Sequence, residues 1–122
     1  MPNSFQDLQI WQDARELMVK LYKLTSKFPK EEVYNLTSQI RRASISIMAN
    51  IAEGHSRSTH LDRIRFLTMS RGSLEEIKSH LAAALSLTYI NQSSFHQLDE
   101  QLTQLAKRIN SFIRSLKEQH NY

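Results

Sequence analysis

Six arginines, Arg41, Arg42, Arg57, Arg63, Arg65 and Arg71, fall between positions 41 and 71, where only Glu53 and Asp62 oppose them. Arginine is the side chain suited to bidentate contact with phosphate, so the chemistry open to this cluster is recognition of a nucleic-acid backbone. Arg57, Arg63 and Arg65 are the first candidates, with Arg41 and Lys27 behind them. Arg42 and Arg71 stand apart, because Glu53, Glu75 or Glu76 could pair with them. No helix-turn-helix, zinc-finger or aromatic stacking pattern is present to read bases, so backbone charge would dominate. A second run, Lys20, Lys23, Lys27 and Lys30, reads more simply as a solvated face near a helix C-terminus.

Other chemistries find little to work with. The histidines His55, His60, His80, His96 and His120 form no His-Glu-x-x-His pair and no Glu-x-x-His carboxylate site. His55 and His60 could converge with Glu53, but solvated loop histidines are the default. Gly54 and Gly72 are isolated, so no glycine-rich loop cradles phosphate. The chain has no cysteine, which removes disulfides, thiolate metal sites and cysteine nucleophiles. Glu53, Glu75 and Glu76 could supply paired carboxylates, yet nothing marks an activated nucleophile or pocket. The sequence therefore predicts no enzyme, no cofactor and no metal.

Positioning these residues falls to helices. Two glycines and two prolines among 122 residues leave little punctuation for an all-β fold. Four segments, about 4–27, 33–53, 59–89 and 94–118, carry apolar residues at helical spacing. Ser4 with Asp7, Thr59 with Asp62, and Ser94 with Gln97 read as N-terminal caps. Phe28-Pro29 ends the first segment, and Gly54 is placed as a left-handed C-terminal cap of the second. The expected core stripes are Leu8, Trp11, Ala14, Met18, Leu21 and Leu24 in the first helix, then Leu36, Ile40, Ala43, Ile47 and Ile51 in the second. Ile64, Leu67, Leu74, Ile77, Leu81 and Leu85 follow in the third, and the fourth carries Phe95, Leu98, Leu102, Leu105, Ile109, Phe112, Ile113 and Leu116. Short links make an all-α, up-down-up-down antiparallel four-helix bundle the economical architecture, one domain over residues 1–122 with a loose end near 119–122.

The second helix has a further apolar side. Ile45, Met48, Ala49 and Ala52 lie nearly opposite its core stripe, and a helix apolar on two sides must be sandwiched. Together with Phe66 and Met69 of the third helix, they predict an interface with another copy of the chain. Between the two apolar sides run Arg42, Ser46, Asn50 and Glu53, joined by Ser73 and Glu76 from the third helix. That row reads as a polar seam fixing helix register or subunit pairing. Gly72, mid-helix beside Ser70 and Ser73, is expected to permit close packing.

The charge balance, 16 Lys+Arg against 12 Asp+Glu, is a modest +4. On one chain it argues weakly for a nucleic-acid partner; copies of one basic patch would sum. No apolar stretch approaches the roughly 20 residues of a membrane span, and the N-terminus lacks a secretory pattern. A cytoplasmic protein is expected.

RRASISIMANIAEG at 41–54 followed by RFLTMSRGSLEEIKSHL at 65–81 resembles the signature of the 23S rRNA intervening-sequence proteins, also called four-helix-bundle proteins. FQDLQIWQDARELMVKLY and FPKEEVYNLTSQIRRA fit it too, so the resemblance spans nearly the whole chain. Ser70 departs from it, where alanine is expected. The resemblance implies a four-helix protomer in a ring-like homopentamer. It also brings in a related accessory protein of diversity-generating retroelements, a basic pentamer that associates with nucleic acid and with a reverse transcriptase; for this chain the partner expected is RNA or DNA, with a reverse transcriptase by resemblance only. It supplies no catalytic residues. A purely structural or protein-interaction scaffold stays as the alternative to nucleic-acid binding.

Overall fold

The computed structural model describes residues 4–119, and among them four α-helices and no strand are found: α1 (Gln9–Thr25), α2 (Leu36–Ser56), α3 (His60–Ser86) and α4 (Gln92–Gln119). Each helix packs on its neighbours in the chain, and α1 closes the bundle against α4. Cross-helix bonds show that neighbours run antiparallel. Arg41 Nε donates to Thr25 Oγ1 between α2 and α1, and Ser70 Oγ donates to the Ile47 carbonyl between α3 and α2. Arg71 Nη1 donates to Asn110 Oδ1 and Lys78 Nζ to Thr103 Oγ1 between α3 and α4. Arg108 and Asp13 pair α4 with α1.

Apolar burial holds the bundle together. Leu21, Ile40, Ile47, Ile51, Leu74, Ile77, Leu81, Leu102, Leu105 and Ile109 are at most 1% exposed, and each such side chain contributes about 1.5–3 kcal/mol. In α2 and α4 the buried set contains the expected stripes, with Phe95 and Phe112 only partly covered. In α3, Ser70 and Ala84 complete the core while Ile64 and Leu85 lie at its margin. In α1 the buried residues are Ile10, Trp11, Ala14, Leu17, Leu21 and Thr25, so Met18 and Leu24 give way to Leu17 and Thr25.

Several boundaries differ from the sequence reading. Ser4 caps a 3-10 turn, Phe5–Asp7, by accepting from the Gln6 N–H; the backbone is extended at Leu8 before α1 begins. Phe5 then folds back edge-on against Trp11, with ring centroids 5.1 Å apart. α1 ends at Thr25, ahead of Phe28-Pro29, and a second 3-10 turn, Lys30–Glu32, leads into α2. Thr59 caps α3 as expected, accepting from the Asp62 N–H at 3.2 Å. Asn91, and not Ser94, caps α4: its Oδ1 accepts from the Ser94 N–H at 2.8 Å. α4 is still helical at Gln119; the rest of the expected loose end, 120–122 with His120, lies outside the described residues.

Neither glycine has the role that the sequence suggested. Gly54 is no left-handed cap, since no glycine has positive φ; it is buried inside α2, which continues to Ser56. A Cβ there would stand 3.2 Å from Phe66 Cβ and 3.4 Å from the Arg63 carbonyl, so Gly54 is what lets α2 and α3 approach. Gly72, the expected packing glycine, has nothing beyond its own stretch of helix within 4 Å of where a Cβ would stand, and within one chain its missing side chain serves no contact. The left-handed position belongs to Thr88, φ 62°, just past α3. There the Tyr89 N–H reaches back to the Ala84 carbonyl, the bond pattern of a Schellman stop.

Candidate functional site

Two surfaces carry the residues singled out by the sequence. The first is the outer side of the α2–α3 pair. Ser73 Oγ donates to Ser46 Oγ at 2.9 Å, and Asn50 Nδ2 donates to the Ser46 carbonyl and Oγ at 2.9 and 3.1 Å. This is the centre of the expected seam, and it joins two helices of one protomer. Arg42 and Glu76 line a shallow hollow with Ser46 and Ser73, but no ion pair joins them; Glu76 Oε1 instead lies 4.0 Å from His80 Nε2. Glu53 leaves the seam, accepting from Ser56 Oγ and pairing with Arg57. Arg71, expected beside an acid, donates to Asn110.

Beside the seam the surface is apolar and uncovered. Ile45 is 45% and Met69 49% exposed, and Ala49 and Gly72 are exposed as well. Arg65, Met69, Gly72 and Glu76 succeed one another along one side of α3 at helical spacing. Met48 and Ala52 are half-buried against the protomer's own core, and Phe66 is half-buried.

The second surface is the turn from α2 to α3. Arg57 and Arg65 both approach the Phe66 ring, at 4.6 and 5.5 Å from its centroid. Arg57 pairs with Glu53 at 3.6 Å, and Arg65 with Asp62 at 3.2 Å while staying 66% exposed. Arg63 Nε donates to the Arg57 carbonyl at 2.8 Å and braces the turn. Surface pairs of this kind contribute little and break easily, so Arg57 and Arg65 can exchange a carboxylate for a phosphate.

Arg41 has a different task. Its Nε donates to Thr25 Oγ1 at 2.9 Å, its Nη2 to the Tyr22 carbonyl at 3.2 Å, and its guanidinium lies over the Tyr22 ring. It thereby satisfies the carbonyl end of α1, which also suits a cation to that helix's dipole. No local spacing in the sequence signals this role. Lys27 is exposed beyond α1, well away in the chain from the turn. His55 and His60 come together at the bundle end, yet no group of three metal-ligating side chains exists among the described residues. No described helix is long and apolar enough to cross a membrane.

Comparison with known proteins adds a frame. The sequence profile of a family described as 23S rRNA-intervening sequence protein matches residues 6–111. Among solved structures the chain is similar to a protein of unknown function from the S23 ribosomal protein family of Bacteroides thetaiotaomicron VPI-5482, determined at 1.70 Å. The two share 23% identity with a TM-score of 0.80, over 86% of this chain and 95% of that one. At that identity the likeness concerns the fold alone. No curated protein matches the chain.

Proposed function

The chain belongs to the 23S rRNA-intervening sequence protein family, and on that premise we propose that it is a non-enzymatic protein whose copies associate through the α2–α3 face and together bind nucleic-acid backbone. Gly72 carries the self-association reading. A glycine in the middle of an exposed helix costs about 1 kcal/mol relative to alanine, and nothing in the protomer approaches it. A neighbouring subunit packed against Met69, Gly72 and Ile45 supplies the reason for it. The Ser46–Ser73 hydroxyls, Arg42 and Glu76 give that contact a polar register. Five copies in a ring, and a reverse transcriptase as a further partner, follow from the family resemblance alone.

Nucleic-acid binding rests on the excess of basic residues and on Arg57, Arg63 and Arg65 gathered at one turn. Each phosphate contact would add about 0.7–0.9 to the log–log salt slope, and repetition across subunits would add avidity. One observation favours the plain scaffold as a second reading: Arg41, Arg57 and Arg65 all hold partners within the chain.

Light scattering of the wild type and of Ile45→Asp and Met69→Asp tests association. An assembled wild type and folded, dissociated variants are expected; a monomer at micromolar concentration overturns the reading. Titration of labelled RNA and DNA at two salt concentrations, with an Arg57/Arg63/Arg65→Ala triple variant, separates binder from scaffold. Salt-sensitive binding lost in an intact variant oligomer supports the first. Absence of binding at low salt leaves the second.

A further inference from the structure

Where α2 turns into α3, a cavity of about 320 Å³ opens between all four helices. Its walls are hydrocarbon: Leu8 and Ile10 at the start of α1, Ile51 in α2, Leu67 in α3, and Phe112 and Leu116 in α4. The polar groups gather differently. Arg63, His55 and His60 reach it from the turn side, while Ser115 and Gln119 come from the end of α4. His60 Nε2 and Gln119 Oε1 are 2.9 Å apart. No Asp or Glu lines the cavity among the described residues. An apolar hole with a few convergent polar groups, near the small end of the roughly 300–1,000 Å³ range, is the usual form of a small-molecule site.

Arg63 sets the sign of the ligand. Its Nε is committed to the Arg57 carbonyl, which fixes the guanidinium plane, and no ion pair joins it to a carboxylate among the described residues. The two Nη nitrogens remain as a fork, and such a fork matches the two oxygens of a carboxylate. We propose that this cavity binds a small amphipathic carboxylate, its hydrocarbon body against Ile51, Leu67 and Phe112 and its headgroup on Arg63. An amine of the same shape would meet a cation with no acid to receive it. The cavity draws on Arg63, which the nucleic-acid reading also uses, so a small carboxylate and a phosphate backbone would compete for that guanidinium.

The test is calorimetric titration of the full chain with decanoate, decanol and decylammonium, followed by amide NMR shifts. Decanoate is expected to saturate one site per chain, with shifts centred on His55, Leu67 and Ser115. Arg63→Met is expected to weaken decanoate by about 10–100-fold, the worth of a charge-assisted pair, and to leave decanol nearly unchanged. Ser115→Trp, at an exposed position on the mouth, is expected to abolish both. The comparison of decanoate with decylammonium needs no variant. Equal affinity for the two, or no saturable binding of decanoate, overturns the proposal. So does undiminished binding by Ser115→Trp.

Discussion

The Tyr89 hydroxyl donates to Glu32 Oε2 across 2.9 Å, and this bond ties the link between α1 and α2 to the turn between α3 and α4. The other Glu32 oxygen accepts from Asn35 Nδ2 and from the Leu36 N–H, so one carboxylate also steadies the start of α2. Phe28 packs beside the Tyr89 ring at 5.4 Å. The hydrogen bond to Glu32, then desolvation and the nearby negative charges of Glu32 and Glu31, raise the Tyr89 pKa above 10.0. A raised pKa means the folded state holds the proton more tightly. The stabilisation is complete below the ordinary tyrosine pKa and is lost as pH rises through the folded value. Tyr89→Phe should therefore melt at lower temperature than wild type at neutral pH and lose less stability between neutral and strongly alkaline pH. Thermal melts across that range check both halves.

Ser70 is fully buried, and its hydroxyl donates to the Ile47 carbonyl at 2.9 Å. Alanine removes one bond and leaves a well-filled site, so Ser70→Ala should cost about 0.5–1.5 kcal/mol. Valine adds volume where α2 and α3 already touch, and Ser70→Val should cost about 1–3 kcal/mol. Urea midpoints at constant slope measure the difference.

Substitutions at the two glycines should have opposite effects. Gly54→Val puts carbon against Phe66 Cβ, an atom fixed to the α3 backbone, and should destabilise by about 1–3 kcal/mol. Gly72→Ala meets open space within the chain and should stabilise a dissociated protomer by about 0.5–1 kcal/mol, measured in an Ile45→Asp background. In the otherwise wild-type chain the same change should weaken assembly in light scattering. A gain in stability with an unchanged mass would reject close subunit contact at Gly72.

Thr88 occupies a left-handed conformation that a β-branched residue rarely adopts. Thr88→Asn or Thr88→Gly should relieve this and stabilise by about 0.5–1 kcal/mol, readable as a rise in melting temperature. No change would mean that the Thr88 Oγ1 contact to the Leu87 carbonyl at 2.6 Å offsets the strain.

The helical stripes of α2 and α4 are legible in the sequence because Leu, Ile and Ala recur there at unbroken helical spacing. Thr25, Ser44 and Ser70 are not, since a buried hydroxyl satisfied by a backbone carbonyl looks identical in sequence to a surface one. Asn91 caps α4 with a single side-chain oxygen, a weaker sequence signal than the Ser94–Gln97 capping-box pattern three residues on. In the seam, Ser46 and Asn50 are aligned by helical spacing alone, whereas Ser73 meets them from α3, a contact that no local spacing signals. Arg41 and Arg71 escape, because their partners Thr25, Tyr22 and Asn110 lie on other helices. The same holds for the bundle-end cavity, whose walls come from four segments.

Packing between chain neighbours also orders events in time. α2 and α3 share the longest seam across a three-residue link, whereas α1 and α4 meet from opposite ends of the sequence. Closing a short loop loses less chain entropy than closing a long one, so the α2–α3 hairpin should form in the folding transition state and the α1–α4 contact should follow it. Substitutions at Ile47 or Leu74 would then slow folding, while those at Leu17 or Leu105 would mainly hasten unfolding.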